Sequence, residues 1–399
     1  MSYFFSNVSK APPDSILGLT VSYLKDPREK KVNLSVGIYK TEDGKTPILS
    51  CVKEAEESLL KEEESKSYLP IDGDSTYLDE VGNLLLGKNL YKQLAVDLSL
   101  VQSLGGAGAL RLGGEFLSQE CKESSCYISN PTWPNHEAIF HQSGLSVHRY
   151  PYYDFVKKNV DFEALYDFLS NLPSQSIIVL HTNCHNPSGA DLNKEQWSLL
   201  ADLFLSKKLI PFFDAAYLGF DSSFEEDAYP IRLFANKGIE FLAAVSFSKN
   251  FSLYAERIGV LVLFSKGNAA PAVLSQLKKL VRRNYSNPPR HGAKVIAKIL
   301  KTSSLRLKWE EELSEMRDRI GSLRALLVSK LRTAPMRTDY SYVLDKKGLF
   351  SFCDLSKEQV ERLIEDHAIY MTSDGRMNIA GLNASNIEAV VKALVAVGG

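Results

Sequence analysis

Phe241-Leu-Ala-Ala-Val-Ser-Phe-Ser-Lys249 carries an apolar run directly into serine, serine and lysine. A short apolar run bounded by polar residues reads as a strand buried on both faces, the kind that parallel sheets contain. Two similar runs lie upstream, Ser176-Ile-Ile-Val-Leu-His181 and Leu209-Ile-Pro-Phe-Phe-Asp214. Between these two, the apolar spacing predicts a helix over about Lys194 to Lys208. Asn193 and Gln196 stand at its start with the spacing of a capping box. Strand, helix and strand in this order predict a parallel sheet with right-handed crossovers, and hence an α/β protein. Pro211 sits inside the second run and blurs its limits, because proline gives the ladder no N–H.

The three runs end alike. The first leads into His181 and then Asn186-Pro187-Ser188-Gly189, the second into Asp214 and Tyr217, the third into Ser246 and Lys249. Open α/β sheets bind ligands outside the carboxyl ends of their strands. One polar strand end is ordinary turn chemistry; three in succession mark a site.

Further along, a charged helical pattern covers about Leu305 to Leu331. Gly348 to Cys353 reads as a strand, Lys357 to Asp366 as a helix, and Arg376-Met-Asn-Ile-Ala380 as another strand, which together make a small α+β unit. The apolar segment from Val32 to Tyr39 is a candidate to join it. No internal repeat or low-complexity tract interrupts the chain.

Composition narrows the function. Of 399 residues, 44% are hydrophobic and 24% charged, near the average of soluble globular proteins. The 47 basic and 48 acidic residues leave a net charge of -1, with no basic stripe for a nucleic acid. The five cysteines, at 51, 121, 126, 184 and 353, are odd in number and form no C-x-x-C. That argues against a disulfide framework or a zinc site and for a reducing, cytoplasmic compartment. The opening MSYFFSNVSKAPPDS is not expected to be a secretory signal, and no stretch is long and apolar enough for a membrane span. Asn250-Phe-Ser252 fits a glycosylation pattern that has no meaning in such a compartment.

Chemistry gathers around Lys249. A lysine at a dry sheet edge has its pKa lowered and becomes a nucleophile towards carbonyls, although a lone lysine is ordinarily a solvated surface group. Asp214 changes the balance, because a carboxylate at the neighbouring strand end can keep a pyridine nitrogen protonated and so make the ring an electron sink. Alone, Asp214 would read equally well as a turn aspartate. Tyr217 and Asn186 can hydrogen-bond a ring oxygen, and Trp133 offers a flat face for stacking. Ser103-Leu-Gly-Gly106-Ala107-Gly108 follows an apolar run and precedes a helical stretch, the arrangement that cradles a phosphate on free backbone N–H groups. It is no dinucleotide fingerprint, since counting from Gly106 the sixth position is Arg111. Arg257 and Ser246 can add contacts to the same phosphate. His136 and His181 read as supporting or core histidines, because no carboxylate–histidine spacing suggests a metal. Arg282 and Arg376 are suited to gripping carboxylates.

These residues stand in a longer order: Tyr68-Leu-Pro-Ile71, Asn130-Pro-Thr-Trp133, His185-Asn-Pro187, Phe213-Asp-Ala-Ala-Tyr217, Ser246-Phe-Ser-Lys249, Arg257-Ile-Gly259, Tyr285-Ser-Asn-Pro-Pro289 and Arg376-Met-Asn-Ile-Ala-Gly-Leu382. Over essentially its whole length the chain resembles the aspartate and aromatic aminotransferases of class I, fold type I. The resemblance implies a large pyridoxal-phosphate domain over 41–313, a small domain over 314–399, and an N-terminal arm with part of the small domain over 1–40. It implies that Lys249 forms the Schiff base and shuttles a proton, and that Asp214, backed by His136, pairs with the pyridine nitrogen. Asn186 and Tyr217 would bond the ring oxygen and Trp133 would stack on the ring. Ser246, Arg257 and the Gly106–Ala107 backbone would hold the phosphate, joined by Tyr68 from a second subunit. Arg376, with Gly37 nearby, would bind the substrate α-carboxylate. Arg282 from the second subunit would bind a distal carboxylate, so a homodimer is implied.

Two features depart from the family's pattern. Members usually carry Ser or Thr where this chain has Ala107, which removes one hydroxyl from the phosphate cradle. The run Arg282-Arg283-Asn284 is locally unusual, though its spacing to Tyr285 and Ser286 favours Arg282 as the carboxylate reader. The expected reaction is ping-pong amino transfer from aspartate or an aromatic amino acid to 2-oxoglutarate. Phe251-Ser-Leu-Tyr254 and Ala380-Gly-Leu-Asn383 are similar to aromatic members, so a tyrosine or phenylalanine preference is the first alternative. A pyridoxal-phosphate lyase on the same fold is the second. A non-enzymatic regulator conflicts with the intact lysine, aspartate and arginine set.

Overall fold

In the computed structural model, which describes residues 3–336 and 338–398, the three apolar runs form the middle of a seven-stranded sheet. Its order is Leu98–Leu104, Ile258–Phe264, Phe241–Ser246, Ile210–Ala215, Ile177–His181, Cys126–Asn130 and Val147–Pro151. Ile258–Phe264 runs antiparallel to both its neighbours. All the other pairings in this sheet are parallel.

The continuous apolar character of the runs follows from burial on both faces. Successive side chains alternate, so Phe212 and Phe213 point oppositely. Phe212 joins Leu110, Leu112 and Leu117 of the Gly105–Glu120 helix in one core. Phe213 joins Trp197 and Phe234 in the other, with ring centroids 6.2 and 5.1 Å away. Truncating such a fully buried phenylalanine to alanine costs about 3–5 kcal/mol.

Pro211 lies inside the Ile210–Ala215 strand after all. Ile210 donates its N–H to Ser176, so alternation turns the Pro211 nitrogen towards the opposite neighbour. That neighbour pairs only from Phe212 onward, so no ladder bond is lost. The predicted helix spans Lys194–Lys207 and carries the reciprocal Asn193–Gln196 capping box. It stops one residue early because Lys208 turns left-handed, at φ 54.

The C-terminal elements form as expected, with shifted ends. The charged helix runs Ser303–Thr333 and the next one Lys357–His367. The strands shrink to Phe350–Phe352 and Arg376–Asn378, paired antiparallel. The second ends early because the Asn378 side chain accepts from the Ala380 N–H and starts a 3-10 turn. Val32–Asn33 pairs in parallel with Ile369–Tyr370, which ties the start of the chain to this unit.

Candidate active site

All the parallel strands deliver their carboxyl ends to one edge of the sheet. The antiparallel strand begins at that edge, since Gly259 pairs with both Ser246 and Ser103, and this places Arg257 there too. A cavity of ≈ 630 Å³ opens at this edge. Gly37, Gly106, Ala107, Trp133, Asn186, Asp214, Tyr217, Ser246, Lys249, Arg257 and Arg376 all line it.

Lys249 lies half-buried in the cavity with its Nζ 4.8 Å from the centre of the Tyr217 ring. Burial lowers the pKa of its ammonium and Arg257 adds to the effect, while Asp214 opposes both. A lysine in this state keeps more of its amine neutral. Burial would raise the Asp214 carboxyl, but the His136 hydrogen bond, helped by the electrostatics of His136, His181 and Lys249 around it, holds it below its ordinary value. Burial pushes the Tyr217 phenol up, with Arg376 opposing.

A hydrogen-bond chain stands behind Asp214. The Asn186 N–H donates to His181 Nδ1 at 3.4 Å, which leaves the His181 proton on Nε2. That nitrogen lies 3.1 Å from Thr132 Oγ1, and Thr132 Oγ1 lies 2.7 Å from His136 Nδ1. Passed along in this sense, the last proton is donated by His136 Nε2 to Asp214 Oδ2 at 2.9 Å. Burial depresses the pKa of His181 to about 3, which suits a neutral imidazole.

The opposite side of the cavity suits an anion. The Gly105–Glu120 helix begins at the glycine-rich stretch itself, so Gly106 and Ala107 form its first turn rather than a preceding loop. No side chain caps that turn, and its N–H groups are left for a ligand. Gly105 is held at φ +69, and a Cβ there would stand 2.4 Å from Arg257 Nη2. Only glycine lets the guanidinium approach. Arg257 Nη1 donates to Ser248 Oγ at 3.1 Å. Ser246 and Ser248 supply hydroxyls.

Arg376 is 2% exposed. Its Nη1 donates to Asn186 Oδ1 at 3.1 Å and its Nη2 to the Ser35 carbonyl at 2.5 Å. Its Nε is buried without a partner, an orphan donor that a carboxylate would satisfy.

Two of the expected residues lie elsewhere in the single chain. Tyr68 is 91% exposed. Arg282 is exposed at the end of the Ala270–Asn284 helix, where its guanidinium meets the Ser286 hydroxyl. Ser248, Tyr254 and Phe350 are among the cavity residues to which the sequence reading assigned no role. Ser248 and Tyr254 flank Lys249 closely enough for the motif to have flagged them. Phe350 comes from a remote strand with no local signal. Among the described residues, no group of three or more His, Cys, Asp or Glu is placed to hold a metal, and no helix is long and apolar enough to cross a membrane.

An anion cradle and a buried acid on either side of a desolvated lysine meet the needs of a phosphorylated pyridine aldehyde. Fold and site thus define a lysine-based pyridoxal-phosphate enzyme. Residues 29–394 match the family described as aminotransferase class I and II. The chain is 43% identical over 394 residues to an aspartate aminotransferase of Pseudomonas aeruginosa, covering 98% of this chain and 99% of that one. It is 44% identical over 397 residues to an aromatic-amino-acid aminotransferase of Escherichia coli, covering 98% and 100%. The solved structure of an aromatic-amino-acid aminotransferase from Burkholderia pseudomallei, covalently bound to pyridoxal phosphate, superposes with a TM-score of 0.96 at 42% identity and covers 100% of both chains. The chain belongs to the class I and II aminotransferases.

Proposed function

We propose that this protein moves an amino group from aspartate and aromatic amino acids to 2-oxoglutarate in two half-reactions. The observation that carries the reading is the meeting of half-buried Lys249, buried Asp214 and the orphan Nε of Arg376 in one cavity. When bound, pyridoxal phosphate supplies an electron sink for negative charge at the substrate Cα. Lys249 would hold the cofactor through its Nζ, and the same nitrogen, as a neutral amine, is the base placed to carry the substrate Cα proton. Asp214, held ionised, would keep a proton on the pyridine nitrogen. Asn186 and Tyr217 would hydrogen-bond the ring oxygen, and Trp133 would offer its face to the ring. Ser246, Arg257 and the Gly106 and Ala107 amides bind the phosphate. Arg376, beside Gly37, grips the α-carboxylate and so points the Cα proton at Lys249.

The reading includes a homodimer. Tyr68 and Arg282, both turned outward in one chain, then serve the cavity of the second copy, Tyr68 at the phosphate and Arg282 at a distal carboxylate. The exposed Tyr3, Phe4 and Phe5 of the N-terminal arm, 78%, 100% and 83% accessible, support such a contact. The three-part division at 1–40, 41–313 and 314–399 belongs to the same reading, with the continuous Ser303–Thr333 helix crossing the second boundary. Five unpaired cysteines support a cytoplasmic location.

The second reading makes aromatic amino acids the main substrates. The apolar wall of the cavity, including Ile16, Leu17 and Leu110, favours it. The deciding experiment measures glutamate formed from 2-oxoglutarate with aspartate, phenylalanine or tyrosine as donor. The more efficient donor names the preference. Ammonia or carbon dioxide released without an oxo acid would replace the transferase reading with a lyase.

A further inference from the structure

Arg324 sits in the second half of the Ser303–Thr333 helix and is 4% exposed, yet among the described residues no carboxylate forms an ion pair with it. One short segment takes up its guanidinium instead. Nη1 donates to Ser351 Oγ at 2.5 Å, and Nη2 donates to the carbonyls of Gly348 at 2.5 Å, Phe350 at 3.0 Å and Lys347 at 3.2 Å. Burial pushes its pKa down to about 10, so it stays cationic at neutral pH. A buried cation without a counter-charge costs desolvation that an apolar side chain would avoid. What it supplies is geometry, a planar fork that locks three backbone carbonyls of one short segment in place.

The clamped segment places one ring in the cavity, that of Phe350. The Arg376 guanidinium carbon lies 4.2 Å from the ring centre. The ring also presses on the backbone at Gly37, where a Cβ would stand 2.4 Å from its Cζ. The Lys347 N–H donates to the Gly189 carbonyl at 2.8 Å, which ties the same segment to the loop that carries Asn186. Asn186 in turn accepts from Arg376 Nη1. Both the face and one edge of the Arg376 guanidinium are therefore referred back to the segment that Arg324 holds.

We propose that Arg324 is a positioning residue for carboxylate recognition. Through Phe350 it sets the plane of the Arg376 guanidinium without touching substrate. This rests on the reading of Arg376 as the carboxylate-binding arginine. The test titrates the holoenzyme with succinate and 3-phenylpropanoate, which are aspartate and phenylalanine without their amino groups. Arg324→Lys, whose single ammonium cannot fork across several carbonyls, weakens both probes about tenfold, equivalent to ~1.4 kcal/mol. KM for both amino donors rises by a similar factor and kcat falls less. Phe350→Leu gives the same pattern, and adding Arg324→Lys to it produces no further loss, because both act on one element. Ser351→Ala, which removes one contact and leaves the helix intact, moves affinity in the same direction by less. Unchanged affinity in Arg324→Lys overturns the proposal, as do losses that add fully with Phe350→Leu. Should Arg324→Lys fail to fold, unchanged affinity in Ser351→Ala overturns it. Wild-type protein that binds neither probe, or an Arg376→Ala variant that binds both normally, removes the Arg376 reading and this inference with it.

Discussion

His136 Nε2 lies 2.9 Å from Asp214 Oδ2, and both side chains are buried, at 0% and 7% exposure. The imidazole is the nearest group that keeps the carboxylate ionised against the effect of burial. Replacing it with leucine removes the hydrogen bond and leaves burial to raise the Asp214 pKa. Asp214 is then charged over a narrower range, and the acidic limb of the pH–rate profile of His136→Leu moves to higher pH. An unmoved limb would separate Asp214 from catalysis.

Lys249→Ala is expected to remove turnover, by at least the ~10²–10⁴-fold that a positioned acid–base group contributes. Burial disfavours the charged form of Lys249, so its loss should not lower the thermal midpoint. Rates of amino transfer, read beside a melting curve, check both halves of the statement.

Arg282→Ala should discriminate between donors. Losing a charged hydrogen bond to a distal carboxylate costs about 1.5–3 kcal/mol, tenfold or more in kcat/KM for aspartate. Phenylalanine has no such carboxylate and should change little. Equal losses for the two would assign the distal carboxylate to another group.

Ala107→Ser restores a hydroxyl to the uncapped first turn of the Gly105–Glu120 helix. A new hydrogen bond to a phosphate is worth about 1.5–3 kcal/mol, so the cofactor should bind tenfold tighter or more. Fluorescence titration of the apoprotein with pyridoxal phosphate measures this without any turnover. An unchanged Kd would mean that the Ser246, Ser248 and Arg257 contacts already saturate the phosphate.

Acid should unfold the protein early. Burial, with a contribution from His136, lowers His181 from 6.5 to about 3, and burial pushes His185 down as well. Below pH 6.5 the unfolded chain takes up protons that the folded one refuses. The stability these histidines contribute is complete above that pH and falls on acidification towards pH 3, by up to ~1.4 kcal/mol per pH unit for each. Urea melts between pH 7 and 5 should steepen this way, and His181→Gln should flatten the dependence.

Local energetics made much of this legible in the chain itself. The period of the apolar runs marked the central strands, because a strand buried on both faces needs apolar side chains at every position. Asn193 and Gln196 marked a helix start, because a capping box is complete within four residues. Lys249, Asp214 and Asn186 were visible because parallel strands deliver their carboxyl ends to one edge. Packing between distant segments decided the rest. The start of the Gly105–Glu120 helix moved onto the glycines because Gly105 must let Arg257 approach. Phe350 entered the cavity, and Arg324 came to hold it, through contacts that no local period encodes. Arg376 and Asn186, 190 residues apart, meet only when the small C-terminal unit closes over the sheet edge. Propensity, capping and burial period are energies of neighbouring residues and are written in their order, whereas the plane of a guanidinium is set by side chains that only the finished fold brings together.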